Sequence, residues 1–251
     1  MNFKAVLMTA AAAGGILATV SLPARAQTFS EPQKTEIQQI IRDYLIKHPE
    51  VLQEAMAELE KKQASAETEK ARAAVKNHTQ ALFYSPRHVV VGNAQGDVTL
   101  VEFFDYNCGY CKRALTDLMD IMKGDAKLRV VLKEFPVLGP GSVEAAQVAV
   151  AVRMQDKSGK KYLDFHQKLL GGRGQADKAR ALAAAKEAGL DMARLEKDLT
   201  SEEVRASLDE SFKLAEALGL NGTPSYVIGE DVVIGAVGAA TLKEKVANAR
   251  K

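Results

Sequence analysis

The chain has 251 residues, of which 47% are hydrophobic and 26% are charged, a balance that predicts a globular protein. Its 34 basic and 32 acidic residues give a formal net charge of +2 at pH 7, which offers no electrostatic reason to expect nucleic acid as a partner. Two cysteines and four scattered histidines do not make the roughly four-ligand set of a structural zinc site, so we predict no metal site and no cofactor.

Residues 1–26 have the pattern of a cleaved secretory signal peptide. Lys4 supplies positive charge, an apolar stretch follows to about Val20, and Ala-Arg-Ala at positions 24–26 fits a small-x-small cleavage site. The apolar stretch is short and rich in Ala and Gly, which favours cleavage over a membrane anchor. The mature chain would begin at Gln27. Since residues 1–26 hold two basic residues and no acidic one, the mature chain would have 32 basic and 32 acidic residues. We therefore expect an exported protein of the bacterial periplasm, where a cysteine pair can be oxidised.

The N-terminal segment 27–80 is predicted to be helical, because it is rich in charge and contains no glycine. Proline disfavours helix at the residue before it, so one helix should end near Lys47 and another should begin at Pro49. Both predicted helices carry a narrow, mostly apolar stripe, here called the seam, with spacings close to the coiled-coil period. It consists of Ile37, Ile41, Tyr44 and His48, then Leu52, Met56, Leu59 and Gln63. So narrow a seam needs a partner surface, and we predict a homo-oligomer that forms through residues 31–66. An arm folded back on its own domain is the alternative.

After residue 80 the pattern alternates between strands and helices. A connector at Ala81–Gly96 contains a possible short edge strand at His88–Val91. The next strand, helix and strand imply a parallel crossover and therefore an α/β fold. The predicted elements are a strand at Val98–Phe104, a helix from Cys108 to about Met122, a strand at Leu128–Phe135, a helical block from Ser142 to about Leu218, hairpin strands at Ser225–Ile228 and Val232–Ile234, and a last helix from Ala239.

The two cysteines, Cys108 and Cys111, lie between the first core strand and its helix. Two thiols three residues apart can alternate between a dithiol and a disulfide. The first helical turn directs its free N–H groups and positive dipole end at Cys108, which favours the thiolate, the reactive form in thiol–disulfide exchange. We therefore predict that Cys108 attacks and that Cys111 resolves the mixed disulfide. A purely structural disulfide is the alternative, although so short a loop restrains the unfolded chain little.

A second motif is Asn221-Gly-Thr-Pro224, just before the C-terminal hairpin. An isolated Thr-Pro is usually only a turn at the start of a strand. Together with the run from Phe103 to Cys111, Phe-Phe-Asp-Tyr-Asn-Cys-Gly-Tyr-Cys, this motif resembles the DsbA-like branch of the thioredoxin superfamily. The resemblance extends from about Val98 to Ala247.

The resemblance implies a thioredoxin fold over residues 88–251, with a helical insertion at about 142–208 and the N-terminal helical stalk ahead of it. It also implies that a cis-proline at Pro224 faces the cysteine pair. The backbone of Thr223 would then pair with an extended substrate peptide, in a groove shaped by Tyr110 and Pro224.

Glu102 lies six residues before Cys108, where DsbA-like proteins keep an acid beneath the active site. Strand alternation places it on the same face as Leu100 and Phe104. An acid on an apolar face is costly unless it is protonated or paired. We predict that Glu102 accepts a proton from Cys111; the alternative is an acid that simply reaches the sheet edge.

The dipeptide Gly109-Tyr110 between the cysteines resembles that of DsbC-type disulfide isomerases and departs from the Pro-His of strongly oxidising DsbA proteins. With its N-terminal stalk, the chain resembles the ScsC group, which includes oligomeric isomerases associated with copper tolerance. The resemblance implies an exported thiol:disulfide oxidoreductase/isomerase that acts on cysteine-containing client proteins and exchanges electrons with a membrane thiol-redox partner. The alternatives are a monomeric dithiol oxidase, a ScsC-like protein linked to copper tolerance, and a redox-inactive chaperone or binding module.

Overall fold

The structure, a computed structural model, describes residues 29–251, so the predicted signal peptide lies outside the described residues. Internal contacts divide the chain into two units, with the boundary between Glu58 and Leu59. Among the described residues, no helix combines the length and the apolar composition that a membrane span needs.

Two helices, α1 (Glu31–Lys47) and α2 (Glu50–Asn77), follow one another at the N-terminus. Helix α1 begins after Ser30, whose backbone N–H donates to the Gln33 side chain at 2.9 Å. The break between the helices lies at Pro49, which confirms the prediction. The apolar side chains of the predicted seam are exposed, including Ile37, Ile41, Tyr44, Leu52 and Met56.

A five-stranded mixed sheet lies at the centre of the second unit. Its strands are β1 (Val89–Gly92), β2 (Val98–Phe104), β3 (Leu128–Glu134), β4 (Ser225–Ile228) and β5 (Asp231–Ile234). They lie in the order β1-β3-β2-β4-β5. Strands β2 and β3 pair in parallel, joined through helix α3 (Gly109–Gly124), and the other neighbouring strands pair antiparallel. This topology confirms the predicted α/β class and the edge position of the first short strand.

Five helices between β3 and β4 form the predicted helical block: α4 (Pro140–Gln155), α5 (Lys160–Leu170), α6 (Lys178–Glu187), α7 (Met192–Asp198) and α8 (Glu202–Ala217). Helix α4 packs against the four others, because its Ala and Val side chains are buried around most of its circumference. Glycines lie at breaks in this block: α5 ends at Leu170, directly before Gly171, and Gly189 follows α6 with a φ of 75°.

Strand β2 separates two apolar layers. Leu100 and Phe104 pack on the side of α3 and the C-terminal helix α9 (Gly238–Ala249). Val101 and Phe103 pack on the opposite side, where α8 and Val75 of α2 also contribute. The segment expected to be a connector from Ala81 begins instead with a short π-helix at Gln80–Tyr84, because its Leu82 is fully buried in this second layer.

A charged network joins β3 to the helical block. The Lys133 side chain is buried on β3, and its Nζ lies 3.2 Å from Oε1 of Glu210 on α8. Arg153 of α4 contacts Glu203 at 2.9 Å, and Arg87 bridges Glu203 at 3.1 Å and Glu210 at 3.8 Å. Burial lowers the pKa of Lys133, and the charge of Glu210 opposes that shift. The two acids therefore compensate cations that would otherwise be costly to bury.

We expect Glu210→Gln to destabilise the protein by about 1–3 kcal/mol, because Lys133 would keep a polar contact but lose its buried counter-charge. Urea unfolding at pH 7 measures the change. Glu216→Gln, an exposed position on the same helix, is the matched control and should change the free energy of unfolding by less than about 0.5 kcal/mol. Equal stability of the two variants would contradict the role given to this network.

Candidate functional site

The cysteine pair lies at the N-terminal end of α3, where β2 leaves the sheet. Cys108 is the N-cap residue with extended backbone angles, and its N–H donates to the Asp105 carbonyl at 3.1 Å. Cys111 lies in the first turn. Both thiols are free, and Cys108 retains 6% of its surface exposed while Cys111 retains none. A reaction partner can therefore reach Cys108 first.

The second predicted motif lies directly against Cys108. The Thr223–Pro224 peptide bond is cis, as the resemblance implies. The Cys108 thiol donates a hydrogen bond to the Thr223 carbonyl at 3.2 Å, so the two segments, 115 residues apart in sequence, meet at one point. Behind them, the Gly235 N–H donates to the Pro224 carbonyl at 2.8 Å and connects this loop to the end of β5.

Tyr110 projects into solvent beside the pair, with 60% of its surface exposed. The Arg113 guanidinium lies over its ring at 4.4 Å from the ring centroid. Lys112 donates to the Gly172 carbonyl at 3.1 Å and so contacts the glycine-rich loop after α5. The rim of the site is therefore aromatic and cationic at the start of α3.

Cys111 is electrostatically different from its neighbour. Burial raises the pKa of the Cys111 thiol far above its usual value, and the Glu102 carboxyl and the Cys108 thiol raise it further. Hydrogen bonding to the Asp105 backbone opposes the shift but does not offset it. Cys111 is therefore held as a neutral thiol when the pair is reduced.

Glu102 occupies the predicted position on the α3 side of β2 and is buried. Burial, followed by the nearby charge of Asp117, raises the pKa of Glu102 to about 8. Its Oε2 atom has no hydrogen-bond partner within residues 29–251. Opposite it on β4 lies Tyr226, whose pKa is raised by burial and then by Glu102. At neutral pH the Glu102 carboxyl is therefore protonated, and it interacts electrostatically with the Cys111 thiol.

Sequence reasoning missed Asp105 and Asn107, the two polar residues between β2 and Cys108. The Asp105 carboxylate is buried and accepts hydrogen bonds from several groups, among them the Ser142 hydroxyl at 2.7 Å. The Asn107 side chain exchanges two hydrogen bonds with the backbone of Ala176, at 2.7 and 2.9 Å. The available signal was their position: polar side chains that directly follow a buried strand must find partners when they are buried.

The described residues contain no group of three or more His, Cys, Asp or Glu side chains that could hold a metal ion. The groups that the arrangement brings together are two thiols of unequal exposure, a buried carboxyl and a cis-proline loop.

Comparison with known proteins agrees with this geometry. A family model described as a DSBA-like thioredoxin domain matches residues 99–247, and one described as the copper resistance protein ScsC N-terminal domain matches residues 33–66. A thioredoxin-like oxidoreductase from Silicibacter pomeroyi is 43% identical with a TM-score of 0.64, and the match covers 68% of this chain and 96% of that one.

Two further solved structures are 28% identical to this chain. The thiol-disulfide exchange protein alpha-DsbA2 from Wolbachia pipientis has a TM-score of 0.67, with 73% of this chain and 97% of that one covered. Proteus mirabilis ScsC has a TM-score of 0.64, and the match covers 88% of this chain and 99% of that one. Among curated proteins, the Na(+)/H(+) antiporter NhaA 1 of Salinispora arenicola is 26% identical over 144 residues, 57% of this chain. The match spans 22% of the antiporter's length.

We expect iodoacetamide to modify Cys108 at least about tenfold faster than Cys111 in the reduced protein at pH 7.5, because Cys111 is buried and held as a thiol. Mass spectrometry of peptides quenched at successive times measures both rates. The variants Cys108→Ala and Cys111→Ala serve as controls that report each thiol alone. Preferential labelling of Cys111 would contradict the assignment.

The raised pKa of Glu102 predicts a specific pH dependence of stability. Between its usual value, about 4.5, and about 8, the folded state holds a proton that the unfolded state releases, so stability is lost as pH rises through this window. Glu102→Gln removes this loss, and the stability of the variant relative to wild type should rise by on the order of 4 kcal/mol from pH 5 to 8. Urea unfolding of both reduced proteins across this range measures it. A constant difference would show that Glu102 does not titrate there.

Proposed function

Because the chain belongs to the family of DSBA-like thioredoxin domains, we propose that Cys108 and Cys111 are the redox pair of an exported thiol:disulfide oxidoreductase/isomerase that forms or shuffles disulfides in envelope proteins. The observation that carries this proposal is the contact between the Cys108 thiol and the Thr223 carbonyl at 3.2 Å, with Cys111 buried behind it. In this arrangement a client can reach the Cys108 sulfur, and the buried Cys111 sulfur lies behind it, where it can resolve the mixed disulfide.

In the oxidising direction, a client thiolate attacks the Cys108 sulfur of the Cys108–Cys111 disulfide, and Cys111 leaves. A second client thiolate then attacks the client sulfur of the mixed disulfide, which releases an oxidised client and the reduced pair. In shuffling, reduced Cys108 attacks a client disulfide and releases one client thiolate. That thiolate attacks a second client disulfide, and the thiolate displaced there attacks the client sulfur of the mixed disulfide, which releases Cys108 as a thiolate. Neither route needs a cofactor, because oxidation passes two electrons between sulfur atoms and shuffling involves no net electron transfer.

We assign the proton of this exchange to Glu102. Cys111 must gain a proton when it leaves as a thiolate and lose one when it attacks. The Glu102 carboxyl, protonated near neutral pH and buried in the same apolar layer, can supply and accept that proton. Burial alone would make the Cys111 thiolate costly, so a nearby proton carrier lowers the barrier to both steps.

Client binding is assigned to Tyr110, Thr223 and Pro224. Thr223 lies two residues before β4, where an extended peptide can hydrogen-bond to its backbone. In the free protein, the Thr223 carbonyl accepts a hydrogen bond from the Cys108 thiol. Tyr110 offers an exposed aromatic surface on the other side of Cys108.

Isomerase activity and self-association are proposed together. The match of residues 33–66 to the ScsC N-terminal domain and the exposed seam of α1 support a homo-oligomer through residues 31–66. Several redox sites joined in this way would raise the effective concentration of active sites around a misfolded client. The proposal includes a periplasmic location and exchange of electrons with a membrane thiol-redox partner. The signal-peptide pattern of residues 1–26 supports export.

The test measures two reactions: the refolding of scrambled-disulfide ribonuclease and the oxidation of reduced ribonuclease. Wild type should support both reactions, and Cys108→Ala should abolish both. Activity that survives in Cys108→Ala would place the protein among redox-inactive chaperones and contradict the proposal.

The double variant Ile37→Lys/Ile41→Lys should be monomeric in analytical ultracentrifugation at micromolar concentration, because it places charges in the seam. It should lose most scrambled-disulfide refolding and keep simple dithiol oxidation. Gln38→Lys/Gln39→Lys adds the same charge to the same helix outside the predicted seam and is the matched control. A wild-type protein that is already monomeric would favour the monomeric oxidase instead.

A further inference from the structure

Cations without an acidic partner lie where α3 contacts the glycine-rich loop at residues 171–174. They are Lys112 on α3, Arg173 in the loop and Arg180 on α6. Within residues 29–251, none of the three forms an ion pair with a carboxylate. The buried cations elsewhere in the fold differ in this respect, because Lys133 and Arg153 are each paired with a glutamate.

Lys112 and Arg180 lie against the same two glycines of the loop. The Lys112 Nζ atom donates to the Gly172 carbonyl at 3.1 Å and to the Gly174 carbonyl at 3.3 Å. A Cβ atom added to Gly174 would lie 2.7 Å from a guanidinium nitrogen of Arg180, and Gly174 has a φ of 81°. Both the conformation of the loop and the space for Arg180 therefore require glycine. Two like charges held at one loop favour the binding of an anion.

This pair of cations lies one helical turn from the reactive end of α3. The Lys112 N–H donates to the Cys108 carbonyl at 3.1 Å, and residues four apart lie on the same face of a helix. Four helical residues rise about 6 Å, a distance that two residues of an extended chain also span. A client whose cysteine reacts at Cys108 can therefore place a side chain two or three residues away against Lys112 and Arg180.

The acids around the loop do not pair with these two cations. Asp177 accepts the backbone N–H of Arg180 at 2.9 Å and so caps α6, and Glu144 accepts the backbone N–H of Lys178 at 3.2 Å. Arg180 also lines a cavity of about 270 Å³. Glu187 lies in the wall of this cavity, and in the described part of the chain it forms no ion pair with Arg180. The guanidinium therefore remains available to a carboxylate from outside.

We propose that Lys112 and Arg180 bind a carboxylate of the client, so that the site prefers polypeptides with Asp or Glu two or three residues from the reacting cysteine. The inference rests on the proposed thiol–disulfide exchange and adds a charge preference among its clients. The carboxylate forms ion pairs with the ammonium and guanidinium groups and takes no part in the transfer of electrons. Because these pairs are accessible to solvent, the preference weakens as salt screens them.

The experiment compares three disulfide substrates of the reduced protein by stopped-flow measurement of their second-order rate constants. Two are synthetic peptides with one intramolecular disulfide, which differ only in having Glu or Gln two residues from each cysteine. The third is the neutral bis(2-hydroxyethyl) disulfide, whose rate reports the reactivity of Cys108 itself. Each peptide's rate is divided by its rate with 2-mercaptoethanol, which cancels the difference in intrinsic reactivity between the two peptide disulfides.

In wild type, the corrected rate for the Glu peptide should exceed that for the Gln peptide about three- to fivefold at low salt, the size of effect expected of solvent-accessible ion pairs. In about 0.5 M NaCl the Debye length falls to about 4 Å, and the ratio should fall below about 1.5.

Two variants test the two cations. Arg180→Gln leaves the Lys112 hydrogen bonds to the loop in place and should lower the ratio about twofold at low salt. Lys112→Gln/Arg180→Gln should lower it to about one. The matched control, Lys123→Gln/Lys186→Gln, removes two exposed cations from the same two helices, about 16 and 9 Å further along them. Its ratio should equal that of wild type.

The inference is overturned if Lys112→Gln/Arg180→Gln keeps the wild-type ratio, if the control lowers the ratio equally, or if the ratio does not depend on salt. It is also overturned if wild type shows no preference for the Glu peptide. In each case the proposed exchange activity stands, because wild type still reacts with the neutral disulfide. A wild-type protein that reacts with none of the three substrates would overturn the proposed function itself, and this inference with it.

Discussion

The unequal burial of two thiols in one helical turn is the constraint on which the site depends. Cys108 caps α3 at the edge of the sheet, whereas Cys111 lies one turn further in, beneath it and against the apolar layer of β2. The strand fixes where the helix begins, and the helix fixes which sulfur faces outward. A shift of the helix start by one residue would change which positions are exposed and remove the difference in accessibility between the two thiols. The packing of α3 on β2 and β4 therefore determines which thiol a reagent can reach.

Burial also determines the protonation state of the Glu102 carboxyl in the middle of β2. A charged Glu102 would be costly beside Leu100 and Phe104, so the folded protein keeps it protonated near neutral pH, with one oxygen lacking a hydrogen-bond partner in the described part of the chain. Replacement by an apolar residue would improve stability at high pH. A buried carboxyl with a raised pKa is typical of a functional group, and in the proposed function it exchanges a proton with the buried Cys111 thiol.

Local patterns predicted most of the fold. The strand–helix–strand order predicted the parallel pairing of β2 and β3, and Pro49 predicted the break between α1 and α2. The cysteine spacing and the Thr-Pro motif indicated segments that the structure brings into contact at 3.2 Å. The Asp105–Ser142 hydrogen bond and the Lys133–Glu210 pair were not predictable, because the partners lie 37 and 77 residues apart in sequence and are brought together by the three-dimensional packing. The π-helix at Gln80–Tyr84 was missed because one buried leucine gives no periodic signal.

Two segments that are distant in sequence meet at Cys108, and each is held by a different interaction. The strand–helix junction at Cys108 is held by packing of α3, and the loop at Thr223 is held by the hydrogen bond from the Gly235 N–H to the Pro224 carbonyl. Because the Thr223 carbonyl accepts the hydrogen bond of the Cys108 thiol, a displacement of this loop would change the surroundings of the more accessible sulfur. The contacts that hold the loop beside α3 therefore set the environment of Cys108 as directly as the start of the helix does.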